Sequence, residues 1–254
     1  MKPKTTTLPK WENVLENIAH IGEILPDAVV VGGSASAIYA NHRISFDNDF
    51  VMQNLRVNFN DVVHLLETLT GWKTNRYINP VLILGNFDGV PTGIRQLRRR
   101  VPIETTTINY NGLELKLPTQ AEVLRIKGFL ILTRNISRDY LDFVALAEKL
   151  GIEKTWEALK HFDEIYEVKN NQSALKQLLI QLTDPAPCDI KQVDFSKFIN
   201  LSQQWKNWDN VRQFCTFLVN TIMNNTQMNK KQLVNLNNNN NKINYHYNNN
   251  LLNM

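Results

Sequence analysis

Cysteine is scarce in this 254-residue chain: Cys188 and Cys215 stand far apart, without a Cys-x-x-Cys pair or the Cys/His spacing of a zinc site. That excludes a disulfide framework or structural zinc as the organising device. Long apolar runs are lacking too. No stretch approaches the ~18 apolar residues of a membrane span, and the amino-terminal MKPKTTTLPKW has no signal-peptide core. The chain therefore reads as soluble and cytoplasmic, without a membrane partner. Acidic residues are missing from Val211 onward, where Arg212, Lys230, Lys231 and Lys242 carry the whole net charge of +4; residues 1–210 hold 24 charges of each sign. Composition thus gives no broad cationic footprint for DNA, although Arg95, Arg98, Arg99 and Arg100 form a local cluster able to meet phosphates. No repeat recurs at a period of 20 to 50 residues, which excludes a solenoid.

What is present is a hydrophobic fraction of 43%, enough for a sizeable core. KWENVLENIAHIGEIL spaces Trp11, Val14, Leu15, Ile18, Ile21 and Leu25 three and four apart, which predicts a helix ended by Pro26. AVVVGG reads as a short buried strand, SASAIYANH as a helix entered directly from the glycines, and FDNDFVM as a second strand. FNDVVHLLETL predicts another helix stopped by TGW; VLILGNF and TGIRQL flank a turn at DGVP, and PIETTTINY and LELKL flank the hairpin signal Asn111-Gly112. From Pro118 the pattern is helical: Thr119 and Glu122 spell a capping box, Ser137 an N-cap, and Gly151 a stop. Helical segments recur in WEALKHFDEIYEV, SALKQLLIQL and WDNVRQFCTFLVNTIM. The last thirty or so residues are roughly half asparagine without apolar periodicity, a composition that cannot offset its ordering entropy. The fold class is therefore α+β, with a small mixed-sheet core over 1–118, a helical subdomain over 119–222 and an asparagine-rich tail over 223–254.

The stretch GGSASAIYANHRISFDNDF carries the chemistry. Glycines after a strand let backbone approach a phosphate with no Cβ in the way, and the following helix start offers unpaired N–H groups. Gly32, Gly33 and Ser34 have that layout. Asp47 and Asp49 alternate with Asn48, so they share one strand face and can chelate the same Mg²⁺ or Mn²⁺. Either half alone is commonplace, as a tight turn or a solvated strand face; their combination within one strand–helix–strand unit points to a nucleotide triphosphate and its metal.

These residues resemble the glycine-serine plus Asp-x-Asp motif of the DNA polymerase β-type nucleotidyltransferases. The spelling His42, Arg43, Ser45, Asp47, Asp49, Phe50 is similar to the AbiEii/AbiGii-type toxin branch. A second match follows in order, with Lys127 and then Arg138, Asp139 and Asp142; the resemblance spans roughly residues 8–152. It implies an NTP substrate bound by Gly32, Gly33, Ser34 and Arg43, metal on Asp47 and Asp49, and catalytic parts for those two aspartates and for Lys127, Asp139 and Asp142. Lys127 is then expected to reach a phosphate, one of the two distal aspartates to accept a proton or to hold Lys127, and Arg43 to clamp the triphosphate or brace Asp47. His42 reads as structural. The resemblance further implies a toxin that transfers a nucleotide to an RNA, such as tRNA, or to a protein, with an antitoxin as partner; the alternative is a degenerate nucleotide-binding module. Two departures stand out. Asn48 replaces an apolar residue, so the back of its strand is expected to be less buried. The third carboxylate of many members has no match, since TGIRQL offers Arg95 and Gln96, while Asp88 and Glu104 lie outside that slot.

Overall fold

The structure, a computed structural model, describes residues 8–167 and 172–225. Helix α1 (Trp11–Ile24) buries Val14, Leu15, Ile18 and Ile21, the stripe its spacing predicts. Strand β1 (Val29–Val31) runs directly into α2 (Gly32–Ala40), and β2 (Asn48–Met52) returns antiparallel to β1. After α3 (Phe59–Thr68) come β3 (Trp72–Ile78), β4 (Leu82–Phe87) and β5 (Val90–Gln96). The sheet order is β1-β2-β5-β4-β3; β2 and β5 pair in parallel and the other neighbours antiparallel, so the sheet is mixed as expected.

The β4–β5 turn is tighter than the sequence suggests. Asp88 and Gly89, both at positive φ, make it alone, while Val90 and Pro91 belong to β5. Strand β3 was not anticipated: WKTNRYI is an edge strand, half-buried at two positions and exposed at the others, and gives little alternation to read. Asn111-Gly112 does join β6 (Thr105–Tyr110) to β7 (Leu113–Pro118).

The remaining described helices are α4 (Gln120–Arg134), α5 (Ser137–Leu150), α6 (Ile152–Leu159), α7 (Phe162–Ile165), α8 (Ala174–Thr183) and α9 (Trp208–Asn225). Thr119 caps α4 by accepting from the Glu122 N–H, but the Glu122 carboxylate does not complete a capping box; it pairs with Arg99 and Arg125. Ser137 is the first residue of α5 rather than its cap. Asp189 takes that role from 52 residues away, accepting from the Ser137 N–H at 2.7 Å and from its hydroxyl at 3.0 Å. Helix α9 buries Met223 and runs to Asn225, into the span assigned to the tail; residues 226–254 lie outside the described residues.

Among the described residues two apolar clusters result. One joins α1, the five-stranded sheet, α3 and the β6–β7 hairpin; the other joins α4 to α9. Helix α2 serves both, with Ile38 in the first and Ala35 in the second. The glycine turn that opens α2 and the loop that follows it are therefore fixed where the two clusters meet.

Candidate functional site

Gly32 has φ +74°, a conformation that an L side chain strains to adopt, and a Cβ there would stand 3.4 Å from Asp49 Oδ2. The backbone can thus lie against that carboxylate only without a side chain. Among the described residues no side chain caps the start of α2, so no side-chain acceptor occupies its first-turn N–H groups. The Ser34 hydroxyl is buried and donates to the Asp47 carbonyl at 2.5 Å, so Ser34 ties the turn to the acid loop rather than offering its hydroxyl to a ligand.

Asp47 precedes β2 by one residue and is exposed; its Oδ1 accepts from Ser45 Oγ at 2.9 Å. Asp49 is half-buried in β2, and its Oδ1 accepts from Arg95 Nε at 3.4 Å. Between them Asn48 turns inward. The expectation of a less buried strand back is wrong: Asn48 is 1% exposed. Its amide donates to Val14 O and Asn17 Oδ1, both at 2.9 Å, and Asn17 in turn donates to Phe87 O. A hydrogen-bonded polar seam replaces apolar packing there, because a buried amide is tolerated once its donors are used. Asn17, a polar residue inside the apolar stripe of α1, was the available signal and went unread.

Behind the acid loop lies a sealed ionic cluster. Asp142, fully buried, accepts from His42 Nε2 at 2.8 Å, from Arg43 Nε at 2.7 Å and Nη2 at 3.0 Å, and pairs with Lys127 Nζ at 2.6 Å. Asp139, equally buried, takes two bonds from Arg134 and lies 3.5 Å from Lys127 Nζ. Burial alone would raise the Asp142 pKa, but Arg43, Lys127 and His42 hold it well below the usual carboxylate range. Burial would likewise lower that of Arg43, and Asp142 keeps it above its ordinary value. The second motif is thereby brought to the first, and of the two parts expected of the distal aspartates, Asp142 takes that of holding Lys127. Lys127 is 2% exposed and faces two carboxylates, not an open cleft. Neither aspartate is accessible to an acceptor hydroxyl; both hold cations in place. Arg43 reaches its neighbours from inside as well: a Cβ on Gly33 would fall 2.7 Å from Arg43 Nη2 and 2.6 Å from Ser45 Oγ. His42 is structural, as read. Arg134 was missed, although an arginine in the last turn of α4, five residues before Asp139, was visible. Arg138 is exposed and joins none of these pairs.

The slot for a third acid is occupied by Gly93, the parallel-pairing partner of Asp49, with Arg95 two residues on. A Cβ on Gly93 would lie 3.1 Å from Asp49 Oδ1. Among the described residues, no group of three or more His, Cys, Asp or Glu could hold a metal. Arg99, from the basic cluster, is committed to Glu122 and the Tyr166 hydroxyl.

A solved structure from H. pylori, provisionally described as a nucleotidyltransferase, superposes with a TM-score of 0.52 over 88% of this chain and 95% of that one, at 14% identity. The fold is nucleotidyltransferase-like. A nucleotidyltransferase-like protein from Paracoccidioides brasiliensis is also similar, at a TM-score of 0.42 and 19% identity over 65% of this chain and 92% of its own. No protein-family model matches. Among curated sequences, the heme uptake protein MmpL11 of Mycobacterium tuberculosis is 37% identical over 121 residues, 46% of this chain. MmpL11 of Mycolicibacterium smegmatis, a mycolic acid-containing lipids exporter, is 34% identical over 122 residues. The match spans only 12% of the length of these curated relatives, and among the described residues no helix is long and apolar enough to cross a membrane.

Proposed function

We propose that this protein is a divalent-metal-dependent nucleotidyltransferase that moves a nucleotide from an NTP to an RNA or protein acceptor. The observation that carries the reading is the exposed Asp47 and half-exposed Asp49 beside an uncapped glycine-opened helix start, on a nucleotidyltransferase-like fold. Asp47 and Asp49 would hold one hard cation such as Mg²⁺, which prefers oxygen ligands. That cation supplies charge neutralisation on the triphosphate. The first-turn N–H groups of α2 hold the terminal phosphates. In the transfer, the acceptor hydroxyl oxygen forms a bond to the α-phosphorus, the bond from that phosphorus to the bridging oxygen breaks, pyrophosphate leaves, and the hydroxyl proton passes to water at the open mouth.

Lys127, Asp139, Asp142 and Arg43 act as positioning residues. The cluster braces residues 42–47, and Ser45 passes that rigidity to the Asp47 carboxylate. The role of toxin in a toxin–antitoxin or phage-defence pair, with an antitoxin as partner, is supported by the resemblance of the two motifs to the AbiEii/AbiGii branch. Incubating the protein with each α-³²P-labelled NTP, Mg²⁺, and total RNA or cell protein tests the reading through label incorporation. A second reading, a nucleotide-binding module without turnover, is favoured by the lack of an acid on β5 beside Asp49, where Gly93 is its pairing partner and Arg95 lies 3.4 Å from its Oδ1. Calorimetric NTP binding with no incorporation into any acceptor would select it.

A further inference from the structure

The open face of the sheet beyond Asp49 carries a basic track. The side chains of Asp49 and Arg95 share this face with the bare backbone of Gly93, as does Leu84, whose Cδ2 lies 3.2 Å from where a Gly93 Cβ would be. Strand register extends the face outward: Leu82 pairs with Arg95, Leu84 with Gly93 and Asn86 with Pro91. Across β4, Ile78, Arg76 and Lys73 pair with Leu82, Leu84 and Asn86. A register shift between Thr74 and Arg76 is what turns Arg76 to this side. Helices α1 and α3 pack on the opposite face, where Asn17 meets Asn48 and Phe59 meets Tyr77.

Besides the exposed Ile78 and Pro91 and the half-buried Asn86 and Asp49, the side chains here are of two kinds. Lys73, Arg76 and Arg95 are cationic, and β3, β4 and β5 contain no Asp or Glu. Between those cations Leu82 and Leu84 form a half-buried apolar floor. Arg98 and Arg100, exposed and without a partner among the described residues, extend the charge beyond β5. Arg76 sits two strands from Gly93, about 10 Å at ordinary strand spacing. The order β1-β2-β5-β4-β3 places the acid pair between the glycine turn at one side and this track at the other. A triphosphate seated on the turn therefore leaves the track free for a second polyanion lying across Asp49.

We infer that this face binds the acceptor, and that the acceptor is single-stranded RNA: phosphodiesters on Lys73, Arg76 and the arginines after β5, bases over the leucine floor. The inference rests on the proposed transferase reading for its acceptor role, while the binding itself is measurable without turnover. The test is fluorescence anisotropy of the full chain with a labelled single-stranded 20-nucleotide RNA in EDTA without NTP, from 50 to 200 mM KCl, for wild type, Lys73→Glu/Arg76→Glu and the milder Lys73→Gln/Arg76→Gln. Melting temperatures confirm folding of each variant. Affinity should fall steeply with salt, and the charge reversal should weaken it by about tenfold or more with a shallower salt slope, the neutral pair intermediate. Calorimetric NTP affinity in Mg²⁺ should not change. RNA affinity within twofold of wild type for the folded charge-reversal variant overturns the inference, as does a labelled polyglutamate peptide that binds as tightly and displaces the RNA. If NTP binds and RNA does not, the inference alone fails; if NTP does not bind, the transferase reading fails with it.

Discussion

Asp142→Asn removes the charge on which His42, Arg43 and Lys127 converge. Its neighbours cannot move to water, since Asp142 is fully buried, Lys127 2% exposed and Arg43 8%. Lys127 keeps Asp139 at 3.5 Å, but Arg43 loses both charged bonds. Leaving a buried charge uncompensated costs about 3–5 kcal/mol. For a folded unit of this size that lowers Tm by about 6–20 °C. Lys127→Met is a different perturbation, because Arg43 still neutralises Asp142 and Arg134 still neutralises Asp139; its cost should be about 1–2 kcal/mol. The double variant should then cost at least about 1 kcal/mol less than the sum of the two singles. Urea unfolding of the three variants at pH 7 measures all of this. A cost below about 1 kcal/mol for Asp142→Asn, or a larger cost for Lys127→Met than for Asp142→Asn, would refute the bracing cluster. The pH dependence gives an independent check. Folding lowers the Asp142 pKa, so its contribution is fully present above the ordinary carboxylate value of about 3.9 and is lost as pH falls below it toward the depressed folded value. The acid limb of wild-type stability below about pH 4 should be visibly shallower in Asp142→Asn.

Asp47→Asn and Asp49→Asn should abolish nucleotide incorporation while leaving Tm within a few degrees, since both carboxylates lie at the exposed mouth; full activity in either variant would displace the metal site. NTP affinity by calorimetry should be at least about tenfold weaker in EDTA than in Mg²⁺, because two carboxylates repel a bare triphosphate; equal affinities would exclude metal from binding. Gly33→Ala, whose Cβ would press on Ser45 Oγ and Arg43 Nη2, should lower incorporation and cost about 1–3 kcal/mol, read by activity and thermal unfolding together. Asp189→Ala should cost about 1 kcal/mol by uncapping α5 without changing NTP affinity.

Sequence by itself determined the pieces whose causes are local. The apolar stripe of α1, the Asn111-Gly112 hairpin, the Thr119 cap and the Gly-Gly-Ser entry to α2 follow from backbone preferences acting over a few residues, and the alternation of Asp47, Asn48 and Asp49 sets which side each takes. It also marked the absence of an acid beside Asp49. Only the tertiary structure decided how the charged residues are employed. Lys127 reads equally as a phosphate ligand or a buried cation until α4 and α5 pack and Asp142 meets Arg43, 99 residues away. Asn48 reads as a surface residue until Asn17, 31 residues earlier, accepts its amide. Arg76 takes the Asp49 face of the sheet only because β3 slips register against β4. The energy of a charge or an amide is set by the solvent and partners around it, and for these residues long-range packing supplies both.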